Sequence, residues 1–176
     1  FPYTTLFRSE IIMECVIRGL SVHYETVGQG TPILLIHGYQ VDSRLMRGCF
    51  EPVFEGLEGY RRVYIDLPGM GRTRSAEWIR CADDMLEILL AFIEHVMPDE
   101  RFLLAGESYG GYLAQGIVHY LGKRVMGLLL LCSVVETLFK KRTLPPRKVF
   151  VTDEALLASL SPEDAASFAE SNVVQT

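Results

Sequence analysis

The fold of this chain is decided by residues 102–112, which read Phe-Leu-Leu-Ala-Gly-Glu-Ser-Tyr-Gly-Gly-Tyr. An apolar run typical of a strand ends at Gly106, and the helical spacing of apolar side chains begins near Tyr109. Between them lies a G-x-S-x-G pattern centred on Ser108. A strand, a tight turn and a helix around this pattern form the context in which the serine acts as a nucleophile.

The turn predicted at Ser108 explains the two glycines of the pattern. Residues two before and two after the serine crowd such a turn, so Gly106 and Gly110 must lack side chains. The helix that begins beside Ser108 points its free N–H groups and its positive dipole end at the same spot. A serine oxygen placed there can attack a carbonyl group, and the developing negative charge meets hydrogen-bond donors.

The alternative for the same pattern is a serine that only packs in a glycine-rich turn or binds a phosphate. The phosphate-binding patterns G-x-G-x-x-G and G-x-x-x-x-G-K-[ST] do not occur in the sequence. We therefore favour the nucleophile.

Composition limits the class of protein. The 176 residues are 49% hydrophobic, which is enough for the core of one domain or of part of one. The net charge of −5 argues against a protein that binds nucleic acid through a basic surface. No apolar run reaches about 18 residues and no signal peptide is visible, so we expect no membrane span and a cytoplasmic location.

The four cysteines are scattered along the chain and form no C-x-x-C pair. This spacing supports neither a disulfide framework nor a metal site, and we expect no metal and no cofactor. We predict that the cysteines are reduced and mostly buried as small apolar residues. They are Cys15, Cys49, Cys81 and Cys132.

The chain divides into three segments. Residues 1–9 resemble the in-frame translation of a sequencing-adapter oligonucleotide, so 1–12 is interpreted as an artefactual or disordered leader. Residues 13–133 alternate strand and helix patterns and form the predicted core. Residues 134–176 pass from basic to acidic and contain two short predicted helices, one of them beginning near Asp153. We interpret this last segment as the start of an incomplete helical cap, with a solvated helical surface as the alternative.

Alternation and continuous apolar runs distinguish the predicted strands. Residues 13–17 and 20–27 predict an edge hairpin with one wet face, on which His23 is expected to be solvated. Three continuous apolar runs, 32–36, 102–106 and 125–132, predict parallel strands buried on both faces, and 61–65 is predicted as another strand. An amphipathic pattern from Trp78 to Val96 predicts the clearest helix.

This alternation predicts an α/β fold with a doubly wound, mostly parallel sheet. Ligand sites in such sheets lie at the carboxyl ends of the strands. Three unusual sequences follow strands there: 37–39, 66–73 and the turn at Ser108. Their convergence is stronger evidence for a site than any one of them alone.

At these three places the chain resembles the α/β-hydrolase superfamily. The matching segments are His37-Gly38-Tyr39, Asp66-Leu67-Pro68-Gly69-Met70-Gly71 and 106–111, in that order, within a resemblance that covers about 13–132. The resemblance implies that Ser108 is the nucleophile, that the backbone N–H groups of Tyr39 and Tyr109 are the oxyanion donors, and that His37 holds its loop in shape.

The rest of the catalytic triad is not found in this sequence. In this fold the serine is followed by an acid and then by a histidine, but no histidine follows His119, which lies about three helical turns from Ser108. Glu136 is an alternative acid found in rare variants of the family. We interpret the chain as a truncated N-terminal part. We expect no esterase activity above background from these 176 residues alone, and we expect them to associate through the leucines of the sixth strand.

Several functions share these motifs. The leading hypothesis is a cap-bearing serine hydrolase that acts on an ester or a similar small acyl substrate. An acyltransferase and a carbon–carbon bond hydrolase use the same serine turn. From a different class, the chain could be an inactive scaffold that binds a ligand or a partner.

Overall fold

A computed structural model describes residues 11–143, 148 and 151–165. The adapter-like residues 1–9 lie outside the described residues. The first strand begins at Ile11, two residues before the predicted start at 13, because Ile11 and Ile12 already pair with the neighbouring strand.

The strands are β1 (Ile11–Ile17), β2 (Leu20–Val27), β3 (Thr31–Ile36), β4 (Tyr60–Ile65), β5 (Phe102–Glu107) and β6 (Val125–Leu131). These six strands form one sheet in the order β1-β2-β4-β3-β5-β6. The hairpin β1–β2 is antiparallel, as is the pair β2–β4, whereas β4, β3, β5 and β6 run parallel. The predicted doubly wound, mostly parallel sheet is therefore confirmed.

The helices are α1 (Ser43–Phe50), α2 (Ala82–Val96), α3 (Ser108–Leu121) and α4 (Glu154–Ser159), with 3-10 turns at Glu51–Phe54 and Phe139–Lys141. The first three helices cover both faces of this sheet. One face packs on α2 and α3, and its core contains apolar residues such as Leu34, Ile65 and Phe92. The other face, with Leu35 and Tyr64, packs on α1.

The predicted amphipathic helix begins later than its sequence pattern. It starts at Ala82 rather than at Trp78, because the Asp84 carboxylate accepts the backbone N–H groups of Arg80 and Cys81 and caps the helix there. Pro52 lies in a single 3-10 turn, Glu51–Phe54.

The chain forms two compact units, residues 1–137 and 138–176. In the second unit α4 follows Asp153, whose carboxylate accepts the N–H of Leu156 as an N-terminal cap. The predicted helix near Asp153 is therefore present, and the assignment of 134–176 to a cap stays a prediction.

The prediction of a solvated His23 is wrong. Its side chain is 4% exposed, and Glu25 on the same face of β2 is 8% exposed. The segment after β4 covers this face: Thr73 Oγ1 accepts the N–H of His23, and Arg72 Nη1 lies 3.2 Å from His23 Nε2. The alternation in β2 therefore indicated a buried polar face rather than a solvent-exposed one.

The prediction that the cysteines are mostly buried is also wrong. All four are free thiols, but only Cys15 is buried, and burial raises the pKa of its thiol. Cys49 lies on the outer side of α1, Cys81 precedes α2 rather than lying inside it, and Cys132 follows β6, the last strand of the described sheet. The prediction that the strand at 125–132 is buried on both faces is wrong as well, because β6 is the last strand of the described sheet and Leu129 is 47% exposed.

Candidate active site

The turn between β5 and α3 holds Ser108 in a strained conformation. Its φ is +49°, in the left-handed region that residues with a side chain seldom adopt. It is the first residue of α3, directly after the last residue of β5, and its side chain is half-buried. The sharp bend expected from the sequence is present.

Close backbone contacts explain the glycines around this turn. A side chain at Gly106 would place its Cβ 2.5 Å from the carbonyl oxygen of Gly110. A Cβ at Gly110 would overlap the carbonyl oxygens of Ile36 and His37. The turn at Ser108 is therefore pressed directly against the end of β3.

The loop that follows β3 meets the Ser108 turn. A Cβ at Gly38 would lie 3.1 Å from the Cβ of Ser108 and would overlap the carboxylate of Glu107. The ring of Tyr39 lies edge-on to the ring of Tyr109, with centroids 6.2 Å apart. The structure thus brings together the segments whose backbone N–H groups were expected to be the oxyanion donors.

His37 is fixed between two backbone segments. Its Nε2 accepts the N–H of Leu67 at 3.0 Å, and its Nδ1 lies 2.7 Å from the carbonyl oxygen of Gly38. The ring is fully buried, and burial lowers its pKa despite the nearby carboxylates of Asp42, Asp66 and Glu107. A neutral ring with its proton on Nδ1 satisfies both hydrogen bonds, so His37 connects the loop after β3 to the loop after β4.

Asp66 organises the loop after β4. Its side chain is 2% exposed, and its two oxygens accept the N–H groups of Ser43 and Arg72. A Cβ at Gly71 would overlap this carboxylate, so the loop must pass close to it. The carboxylate thereby joins the start of α1 to the loop 66–73.

The segment after β6 also reaches the Ser108 turn. The N–H of Val134 donates to the carbonyl oxygen of Ser108 at 3.3 Å. The side-chain amide of Gln115 donates to the Ser133 hydroxyl and to the carbonyl oxygen of Gly111. This support was not foreseen in the sequence, because a glutamine one helical turn after the motif carries no pattern of its own.

No histidine of this chain is placed to act as a base for Ser108. Both ring nitrogens of His37 are engaged with the backbone, and His23 contacts Arg72. His119 lies in the last turn of α3, and His95 in the last turn of α2. Among the described residues, none of the hydrogen bonds involves the Ser108 hydroxyl, and no cluster of His, Cys, Asp or Glu could hold a metal ion.

Comparison with known proteins agrees with this geometry. The sequence model of the alpha/beta hydrolase family matches residues 33–172. The chain belongs to the alpha/beta hydrolase family. The resemblance inferred from the three motifs is thereby confirmed for the family as a whole.

Curated relatives of this alpha/beta hydrolase are named as esterases. A pimeloyl-[acyl-carrier protein] methyl ester esterase of Legionella pneumophila is 31% identical over 115 residues, which are 65% of this chain and 43% of that protein. The esterase of that name from Nitrosomonas europaea is 32% identical over 114 residues, 64% of this chain and 41% of that protein. The chain thus spans less than half the length of these relatives.

Solved structures share the fold. An alpha/beta superfamily hydrolase from Oenococcus oeni has a TM-score of 0.68 and 32% identity, and the match covers 93% of this chain and 60% of that one. A thioesterase domain from the curacin biosynthetic pathway has a TM-score of 0.64 at 24% identity, covering 73% of this chain and 49% of that one. In the part of the alpha/beta hydrolase chain that is described, no helix has both the length and the apolarity to cross a membrane.

Proposed function

We propose that this protein is a serine hydrolase that acts on a carboxylic ester or a similar small acyl substrate. Ser108 is the nucleophile, and the backbone N–H groups of Tyr39 and Tyr109 bind the oxyanion. The relatives named as methyl ester esterases support hydrolysis of an ester.

The reaction needs a proton acceptor beside the serine. The Ser108 oxygen attacks the ester carbonyl while its proton passes to a base, and the carbonyl oxygen becomes negative. The alcohol leaves with that proton, and Ser108 stays acylated. Water then adds to the acyl group, and its proton returns through the base to the serine as the carboxylic acid departs.

We propose that the histidine base and its acid partner lie outside these 176 residues. This follows from the engagement of His37 with the backbone and from the distance of His119, about 16 Å along α3 from Ser108. The side chain of Glu136 stays an untested alternative for the acid. The 176 residues by themselves are then expected to show only background turnover.

The conformation of Ser108 is the observation that carries the proposal. A positive φ costs about 1 kcal/mol or more for a residue with a side chain. The crowding of Gly38, Gly106 and Gly110 around it enforces this conformation. Arg18, Asp99 and Cys132 also have a positive φ, so it is the position of the strained Ser108 turn at the meeting point of two strand ends that favours a nucleophile.

Hydrolysis of a p-nitrophenyl ester by the protein expressed from its complete reading frame tests the proposal. We expect Ser108→Ala to lower kcat by about 10⁴-fold or more. The matched variant Ser159→Ala, an exposed serine in α4, should leave kcat unchanged. Full activity of Ser108→Ala would overturn the proposal. Formation of a new ester when an alcohol is added would favour the acyltransferase, and absence of all turnover would favour the scaffold.

A further inference from the structure

A cleft of about 440 Å³ lies away from the Ser108 turn. Its walls come from the tip of the β1–β2 hairpin and from residues 72–78 after β4. Its volume falls within the range of small-molecule sites in proteins. The residues that give it chemical character are Arg18, Arg72, Arg74, Trp78, Ser21 and Ser75.

The charge in this cleft is positive, in a chain whose net charge is −5. Three arginines line it against one carboxylate, that of Glu14, which accepts the Ser21 hydroxyl at 2.6 Å. Glu87 and Glu25 offset two of these positive charges, through ion pairs with Arg18 at 2.9 Å and with Arg72 at 4.0 Å. Arg74 has no ion pair or side-chain hydrogen bond with any residue that the structure describes, so its guanidinium can bind a ligand.

The walls of the cleft are held in place before any ligand binds. The guanidinium of Arg18 lies over the ring of Trp78, 5.7 Å from its centroid. The backbone N–H of Arg72 donates to Asp66, and Thr73 accepts the N–H of His23. Because this segment is fixed to the sheet, little ordering is needed on binding, which favours affinity.

The cleft and the Ser108 turn lie at the same edge of the sheet. The N–H of Asp66 donates to the carbonyl oxygen of His23, so the start of β2 extends beyond the carboxyl end of β4. In the sheet order β2 is three strands from β5, which is about 14 Å. The cleft is therefore separate from the Ser108 turn.

We propose that this cleft binds the oxyanion group, phosphate or carboxylate, of a small organic molecule. Arg74 and Arg72 hold the anion, since guanidinium groups match the geometry of both oxyanions. The Trp78 ring supplies the apolar wall for the carbon part of the ligand. The inference does not depend on the chemistry at Ser108.

Fluorescence of Trp78, the single tryptophan of the chain, reports binding directly. The protein expressed from its complete reading frame is titrated with phenyl phosphate, benzoate, inorganic phosphate and the neutral benzyl alcohol, at constant ionic strength. The variant Trp78→Phe shows which part of the fluorescence change comes from this ring. We expect saturable binding of phenyl phosphate or benzoate, and the comparison of these two with inorganic phosphate shows which oxyanion is preferred and whether the ring contributes.

Two arginine variants decide whether the cleft is responsible. We expect Arg74→Gln to weaken binding about tenfold, because it removes a charged hydrogen-bond donor. The control Arg101→Gln changes an exposed arginine at the amino end of β5, at the opposite edge of the sheet, and should bind as the parent does. Equal binding of benzyl alcohol, no saturable binding of any anion, or an unchanged affinity in Arg74→Gln would each overturn the proposal.

Discussion

Two neighbouring regions at the carboxyl edge of the sheet are shaped by different forces. The Ser108 turn is shaped by backbone packed on backbone, with Gly106 and Gly110 leaving no room for a side chain. The segment 66–78 after β4 is shaped by side chains, among them the buried carboxylate of Asp66 and the hydroxyl of Thr73. One region is a rigid fit of main chains, and the other is a hydrogen-bonded assembly.

This difference decides what each region can tolerate. A close fit of main chains has no flexible group that can move aside, so an added methyl group must displace a strand or a helix. A hydrogen-bonded loop loses the energy of the bonds that a substitution removes, and the rest of the loop remains.

Gly110→Ala should destabilise the protein most, by about 4 kcal/mol or more, because the new Cβ overlaps the carbonyl oxygens of Ile36 and His37. Urea unfolding followed by circular dichroism measures the loss. Gly48→Ala is the matched control: it lies in α1 with nothing within 4 Å of its Cβ, and should be unchanged or up to about 1 kcal/mol more stable. Equal stability of the two variants would contradict the account of the Ser108 turn.

Gly38→Ala should lower kcat about 100-fold while leaving most of the stability in place. The new Cβ meets the flexible end of Glu107, which can move, but it also crowds the Cβ of Ser108 at 3.1 Å. A displacement of about 1 Å between the serine and the expected oxyanion donor is enough for such a loss. Ester hydrolysis and urea unfolding are measured on the same preparation, and a parallel loss of stability and kcat would point to misfolding instead.

Asp66→Asn should destabilise the protein by about 2 kcal/mol, because one acceptor oxygen is replaced by an amide that faces an N–H donor. The exposed Asp83 in the first turn of α2 provides the control, and Asp83→Asn should cost less than about 0.5 kcal/mol. Urea unfolding again measures both. If Asp66→Asn were as mild as the control, side-chain hydrogen bonds could not be what holds the segment after β4.

His37 should make stability depend on pH near neutrality. In the unfolded chain its pKa is about 6.5, and burial lowers the pKa in the folded protein. Below about pH 6.5 the unfolded chain therefore binds a proton that the folded protein does not, so stability falls as pH falls from there toward the folded pKa and is fully retained above. We expect stability to fall as the pH is lowered from roughly 7.5 toward 5.5, by at most about 1.4 kcal/mol per pH unit, which is the limit for one proton.

The comparison with His37→Asn isolates this contribution, since the variant lacks the titrating ring. Its unfolding free energy should change less over the same pH interval than that of the parent. The exposed His95 gives the control, and His95→Asn should keep the parental pH dependence. An unchanged pH dependence in His37→Asn would show that His37 is not the group responsible.

The difference between backbone packing at Ser108 and side-chain hydrogen bonding after β4 also explains which features could be predicted from the sequence. Glycines required by close backbone contact leave a fixed spacing in the sequence, so the turn at Ser108 and the loop at Gly38 could be predicted. The doubly wound sheet could be predicted because strand and helix patterns alternate along the chain. Asp66 belonged to a recognisable motif, but its hydrogen bonds to Ser43 and Arg72 join segments that are far apart in sequence and left no pattern to read.

The wrong prediction for His23 concerned burial by a segment that is distant in sequence. His23 was expected in solvent because β2 alternates, but the chain returns 50 residues later and places Thr73 over it. The arginine cleft joins Arg18 to residues 72–78 in the same way. The periodicity of one segment does not show which distant segment will pack against it in the folded protein.

Covalent labelling of Ser108 is the sharpest check on its role as a nucleophile. The protein expressed from its complete reading frame is treated with a fluorophosphonate, digested and analysed by mass spectrometry. We expect one adduct, on the Ser108 oxygen. It should be absent from protein that was unfolded before treatment. An adduct on another residue of the folded protein, or no adduct at all, would contradict the assignment of Ser108 as an activated nucleophile.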